Sequence, residues 1–88
     1  MSVTATATIQ VRVLCFAQLR EALGGEQTLA VPAGATGEAV RAWAQQRAAR
    51  LQPLLAVSRL AVNCAYAVWE MPLHDGDEVA LIPPVSGG

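Results

Sequence analysis

From Ile9 to Phe16 the chain alternates in strict period two: Ile9, Val11, Val13 and Cys15 take one parity, Gln10, Arg12, Leu14 and Phe16 the other. That is the signature of a β-strand with one buried face. Good helix formers follow over Ala17–Leu23 and stop at Gly24-Gly25, which predicts a short first helix. Gln27–Val31 alternates again and halts at Pro32, a second strand. Beyond the Pro32-Ala33-Gly34 turn, Thr36 is placed to cap a helix with Glu38 in its first turn, where negative charge suits the helix dipole. Val40, Trp43, Ala44, Ala48 and Leu51 then recur at steps of three and four, the one amphipathic helix of the chain. Pro53 ends or bends it, and Leu54–Val57 reads as an inward-packing connector. Leu60–Cys64 and Tyr66–Trp69 read as two short strands, Met71–His74 as a loop, Asp75-Gly76 as a turn, and Glu78–Ile82 as the last strand before Pro83-Pro84. The order β, short α, β, long α, β, β, β predicts an α+β fold: a small sheet with helices on one face. Residues 1–8 are small or polar and read as a loose leader, 9–84 as the domain, and 85–88 as a tail too poor in side chains to offset its ordering entropy.

Composition narrows the functions open to such a fold. The chain has 88 residues, room for one domain but not for two lobes enclosing a cleft. Apolar residues make up 53% but include 17 alanines, so the core rests mainly on ten Leu and ten Val. Net charge is −1 with 15% charged residues, which argues against nucleic-acid binding, since that draws on a basic stripe to displace counterions. All six cations are Arg; without Lys there is no Schiff base, lysine general base or self-ligation. The N-terminus lacks the charged and apolar regions of a signal peptide, and no apolar run approaches the ~20 residues of a membrane span. A reducing cytoplasm is the expected location.

Few side chains suggest chemistry. His74 is the only His and lies in a predicted loop without companions that would make a metal site. Asp75, Asp77 and Glu78 could be paired carboxylates, but turn chemistry accounts for the Asp-Gly-Asp run. Cys15 shares the parity of Val11 and Val13, and Cys64 sits in another apolar run, so both are expected to be buried free thiols rather than a bridge or a nucleophile. Gly24-Gly25 does not fit a phosphate loop. No nucleophile, base and orienting group can be assembled, so no autonomous active site is expected. The outer sheet face is different. Arg12 marks its solvent side, which places Leu14 and Phe16 there; Glu78 likewise places Ala80 and Ile82. Apolar residues on a charged face predict either partner docking through Phe16, Ile82 and Leu14 or cover by a loop or the leader.

The ending Pro83-Pro84-Val85-Ser86-Gly87-Gly88 combines a stiff spacer with a thread that carries no side chain at its last two positions and can enter a narrow tunnel. With it, Val13-Leu14-Cys15-Phe16-Ala17-Gln18-Leu19-Arg20-Glu21 and Asp75-Gly76-Asp77-Glu78-Val79 resemble the small, sulfur-carrying subunit of molybdopterin synthase, over nearly the whole chain from Ile9 onward. The resemblance implies an α+β, β-grasp (ubiquitin-like) fold: a mixed sheet of four to five strands with one long helix and short helical turns on one face. It implies that an activating enzyme uses ATP to adenylate the Gly88 carboxylate, that a sulfur donor converts the acyl-adenylate to a thiocarboxylate, and that Val85, Ser86 and Gly87 thread the tail into the large synthase subunit. There sulfur passes to cyclic pyranopterin monophosphate. The expected partners are therefore the large subunit, the adenylating enzyme and the sulfur donor, with no nucleic acid or membrane and no cofactor held by this chain. The longer leader and the lack of Lys depart from the family pattern. A sulfur carrier for thiamine or another pathway, and a ubiquitin-like binding module with an inert tail, remain as alternatives; a hydrolase using Asp75 or His74 stands behind them.

Overall fold

A computed structural model describes residues 7–84. Five strands, β1 (Thr8–Cys15), β2 (Glu26–Pro32), β3 (Arg59–Val62), β4 (Ala65–Ala67) and β5 (Glu78–Ile82), form one sheet in the order β2-β1-β5-β3-β4. Strand β5 runs parallel to β1 and antiparallel to β3; the outer pairs β1–β2, connected through a helix, and β3–β4, a tight hairpin, are antiparallel. Helices α1 (Ala17–Leu23), α2 (Gly37–Arg47) and α3 (Gln52–Ala56) supply Leu19, Leu23, Val40, Ala44 and Leu55 to the core. They meet Val11, Val13, Cys15, Leu60, Val62, Val79 and Leu81 of the sheet. This is the expected α+β arrangement, a β-grasp.

Several boundaries differ from the sequence reading, each for a local reason. Strand β1 begins at Thr8, inside the expected leader, where the Ala7 carbonyl accepts a bond from the Ala33 amide. The rest of that leader, residues 1–6, lies outside the described residues. Phe16 leaves the strand to become the extended residue before α1. Helix α2 stops at Arg47, and Leu51 enters the core from a short 3-10 turn, Ala49–Leu51, instead of from a continuous helix. Pro53 then sits in the first turn of α3, where its missing N–H costs nothing, so the expected connector is itself helical with Leu55 fully buried. Strand β4 is only three residues long, and Trp69 falls in the turn beyond it.

The start of α2 is held from outside. Thr36 Oγ1 accepts from the Glu38 amide at 3.3 Å, as the sequence suggested. The Gly37 and Glu38 amides also donate to the carbonyls of Met71 and Trp69, and Thr36 bridges to Pro72. Backbone donors left over at the helix start are thereby taken by the loop.

Candidate functional site

Cross-strand register arranges the outer face as a grid of three rows. The middle row reads Glu26, Leu14, Ala80, Ala61, Tyr66 from β2 to β4, each pair being direct strand neighbours. Below it run Thr28, Arg12 and Glu78. Above it Ile82 faces Arg59, with Phe16 one step beyond the Cys15–Leu81 pair. Partners across a ladder share a face, so alternation fixes which side chains look outward.

Small residues stand at the middle of this grid and large ones around it. Ala61 and Ala80 are buried yet take no part in the core cluster, being shielded by their neighbours on the open side. Phe16 is 44% exposed, Tyr66 65% and Val68 67%. A shallow depression of about 300 Å³ results, lined by Leu14, Phe16, Ala61, Tyr66, Ala80 and Ile82, with Cys64 and Glu78 at its rim. A second, of about 350 Å³, runs from Phe16 and Ile82 past Gln18 and Glu21 to Pro83 and Pro84. Phe16, Leu14 and Ile82 thus come together as expected, beside the point where the chain leaves β5. Tyr66 and Ala61 were missed; alternation within β3 and β4 could have placed them, but assigning strands through the Asn63-Cys64 turn hid the register.

Charges ring the apolar centre without entering it. Arg12 bonds Glu78 at 2.6 Å and lies 3.6 Å from Glu26. The Arg59 guanidinium stacks 4.7 Å from the Tyr66 ring centroid, which holds two exposed side chains over the face.

The residues weighed for chemistry are explained by structure. Burial pushes the Cys15 thiol up to about 11, well away from a reactive thiolate. Cys64, expected to be buried, is exposed: with φ of 52° and 70°, Asn63 and Cys64 form the two-residue turn of the β3–β4 hairpin. Asp75 Oδ1 accepts from the Gln10 amide at 2.8 Å, tying the turn to β1. Asp77 accepts from the Asn63 side-chain amide at 2.9 Å and the His74 backbone amide at 2.8 Å. Asn63 Oδ1 in turn accepts from the Glu78 amide at 3.0 Å. Among the described residues no three His, Cys, Asp or Glu side chains gather as metal ligands, and no helix is long and apolar enough to cross a membrane. Val85, Ser86, Gly87 and Gly88 lie outside the described residues.

The pattern of the ThiS family matches residues 13–88. The chain is 40% identical over 80 residues to the molybdopterin synthase sulfur carrier subunit of Escherichia coli (strain K12), spanning 89% of this chain and 99% of that one. A solved structure described as putative molybdopterin converting factor subunit 1 from Pyrococcus furiosus superposes with a TM-score of 0.77 at 29% identity, over 88% of this chain and 99% of that one. A complex of subunits 1 and 2 of the molybdopterin-converting factor from Helicobacter pylori 26695 contains a chain that matches with a TM-score of 0.60 at 30% identity, over 91% and 100%.

Proposed function

The chain belongs to the ThiS family, and on that footing we propose that it is the sulfur carrier of molybdenum-cofactor biosynthesis, with its own Gly88 carboxylate as the group that is loaded. The observation that carries the reading is the near full-length likeness to a molybdopterin synthase sulfur carrier subunit together with a family match that runs through Gly88. In the proposed cycle an activating enzyme transfers AMP from ATP to the Gly88 carboxylate and releases pyrophosphate. A carboxylate oxygen is a poor leaving group; as the acyl-adenylate it leaves as AMP when a sulfur donor attacks the carbonyl carbon. The resulting thiocarboxylate presents a soft nucleophilic sulfur, which the large synthase subunit directs at cyclic pyranopterin monophosphate.

This chain's residues divide that work by position. Leu14, Phe16 and Ile82 dock the partner, Tyr66 extends the contact, and Pro83 and Pro84 carry the chain away from the docked face. Val85, Ser86 and Gly87 thread the partner's tunnel. The complex of subunits 1 and 2 from Helicobacter pylori supports a large subunit as docking partner. Likeness to a molybdopterin synthase subunit favours this pathway over thiamine.

The test is mass spectrometry of the chain after incubation with activating enzyme, ATP and sulfur donor. Replacement of one oxygen by sulfur at Gly88 is expected. Deleting Gly88 withdraws the carboxylate by up to ~3.5 Å and is expected to abolish loading with thermal unfolding unchanged, since ~1 Å of misplacement can cost ~100-fold. Normal loading of that deletion would leave a ubiquitin-like binding module as the better account.

A further inference from the structure

We propose that in the free chain the outer sheet face is covered by a second copy, packed face to face about a two-fold axis along β5. The inference concerns the chain before it meets a partner and does not depend on the sulfur chemistry. Its starting point is the exposure of Phe16 and Tyr66 around Leu14 and Ile82, with exposed Val68 beside Tyr66 and Arg59 at the β4 edge, a patch that marks an interaction surface.

The grid is complementary to itself about one axis. Strand β5 is central, with two strands on either side. A two-fold axis along it lays β1 over β3 of the second copy and β2 over β4. Leu14 then stands over the second copy's Ala61, bulk over hollow. On the axis Ala80 meets Ala80, and one row along the strand Ile82 meets Ile82 as an apolar pair. Phe16 faces the second copy's Arg59, and Glu26 faces its Tyr66, whose hydroxyl can donate to the carboxylate. Glu78 meets Glu78, but each is bonded to its own Arg12 at 2.6 Å, so two ion pairs come together and not two bare anions. The other in-plane axis, across the strands, would set Leu14 on Leu14 and Glu26 on Glu26. The axis along β5 is the one that sets bulk over hollow in the middle row and keeps Glu26 away from Glu26, in the aligned class of sheet packing.

Area sets the strength. Five strands at ~4.8 Å and three rows at ~6.7 Å span roughly 19 by 14 Å, under half the ~800 Å² a side of a stable interface. The association is therefore weak, with a Kd of about 0.1 to 1 mM, and yields the face to any partner that buries more.

The experiment is a dilution series of the isotope-labelled full chain, about 1 mM down to about 20 µM on the affinity scale just given, read by amide NMR and sedimentation equilibrium. Expected are shifts confined to amides of Leu14, Ala61, Ala80 and Ile82 and their neighbours, and a mass rising from one chain towards two. Ala61→Leu fills the hollow and is expected to weaken association at least about tenfold, the scale of overpacking. The swap Leu14→Ala with Ala61→Leu moves the bulk to β3 and the hollow to β1, and is expected to restore it. Thermal unfolding of each variant separates this from loss of fold. A mass fixed at one chain across the series, shifts on another surface, or a swap that fails to restore association while folded would overturn the proposal. Concentration-independent cover of the face by residues 1–6, revealed by their deletion, would overturn it as well. None of these readouts involves Gly88, so failure here leaves the sulfur-carrier reading untouched.

Discussion

Asn63 serves two purposes at once. Its backbone takes the first positive-φ position of the β3–β4 turn, while its side chain bonds Asp77 and the Glu78 amide at the start of the neighbouring strand β5. Cys64, at the second position with φ 70°, gains only a long, weak bond from its Sγ to Glu78 Oε2 at 3.7 Å, and an L side chain there costs ~1 kcal/mol or more. Cys64→Gly is therefore expected to raise the melting temperature by a few degrees, ~4–8 °C per kcal/mol for a domain of this size, measured by calorimetry. Asp77 gives a pH dependence. The Asn63 amide, above all, holds its carboxyl below the ordinary 3.8; partial burial opposes this, and the His74 amide and ring add to the lowering. A carboxyl lowered on folding contributes stability above its unfolded value and loses it as pH falls through the folded one. Asp77→Asn is expected to flatten the fall in melting temperature below about pH 4, near the unfolded carboxyl value. The Asp-Gly-Asp turn was legible in the sequence because its chemistry is local. The bond from Asn63 was not, because it joins residues 14 apart through a register that only the folded sheet defines.

At the scale of elements, α2 shows where periodicity carries information and where it stops. Thr36, Val40 and Ala44 were readable as cap and buried stripe. Gly37 was not, although the helix depends on it. A Cβ there would lie 2.5 Å from Leu60 Cδ2 and 3.0 Å from the Trp69 carbonyl oxygen, so Gly37 lets the helix start press against β3 and the Trp69–Met71 loop. Gly37→Ala gains up to ~1 kcal/mol of helix propensity but overpacks this contact, at ~1–3 kcal/mol. A net loss of about 1 to 2 kcal/mol is expected from these opposing magnitudes, measured by urea denaturation. Nothing in a sequence pattern reports such a contact, because it depends on where a side chain 23 positions later comes to rest.

For the whole molecule, the core lies on one face of the sheet and the proposed docking residues on the other, so stability and recognition can be tested apart. Leu81, fully buried on the helix side of β5, is expected to cost ~2–5 kcal/mol on replacement by Ala, a large share of the ~4–13 kcal/mol that holds a domain of this size. Phe16→Asp and Ile82→Asp lie on the other side. They are expected to leave the melting temperature within a few degrees while abolishing binding to the large subunit, measured by titration calorimetry. Unchanged binding would place docking elsewhere. This division could be read from the sequence through the parity of Arg12 against Val11 and Val13 and of Glu78 against Val79. The order of strands could not, since alternation fixes a strand's faces and is silent about its neighbours.

That order bears on how the chain acquires its shape. Strand β5 is the last to be synthesised, yet it lies between β1 and β3, and the bond from Arg12 to Glu78 spans 66 positions. Contacts of such sequence separation close late and slow folding. During translation the β1–β2 and β3–β4 pairs and α2 can form only as unanchored pieces, each with an apolar face towards solvent, until Glu78–Ile82 has emerged. A nascent chain ending before Glu78 is expected to be protease-sensitive and prone to aggregate. Resistance in pulse proteolysis of stalled chains is expected to set in abruptly once β5 is released, rather than to grow with length.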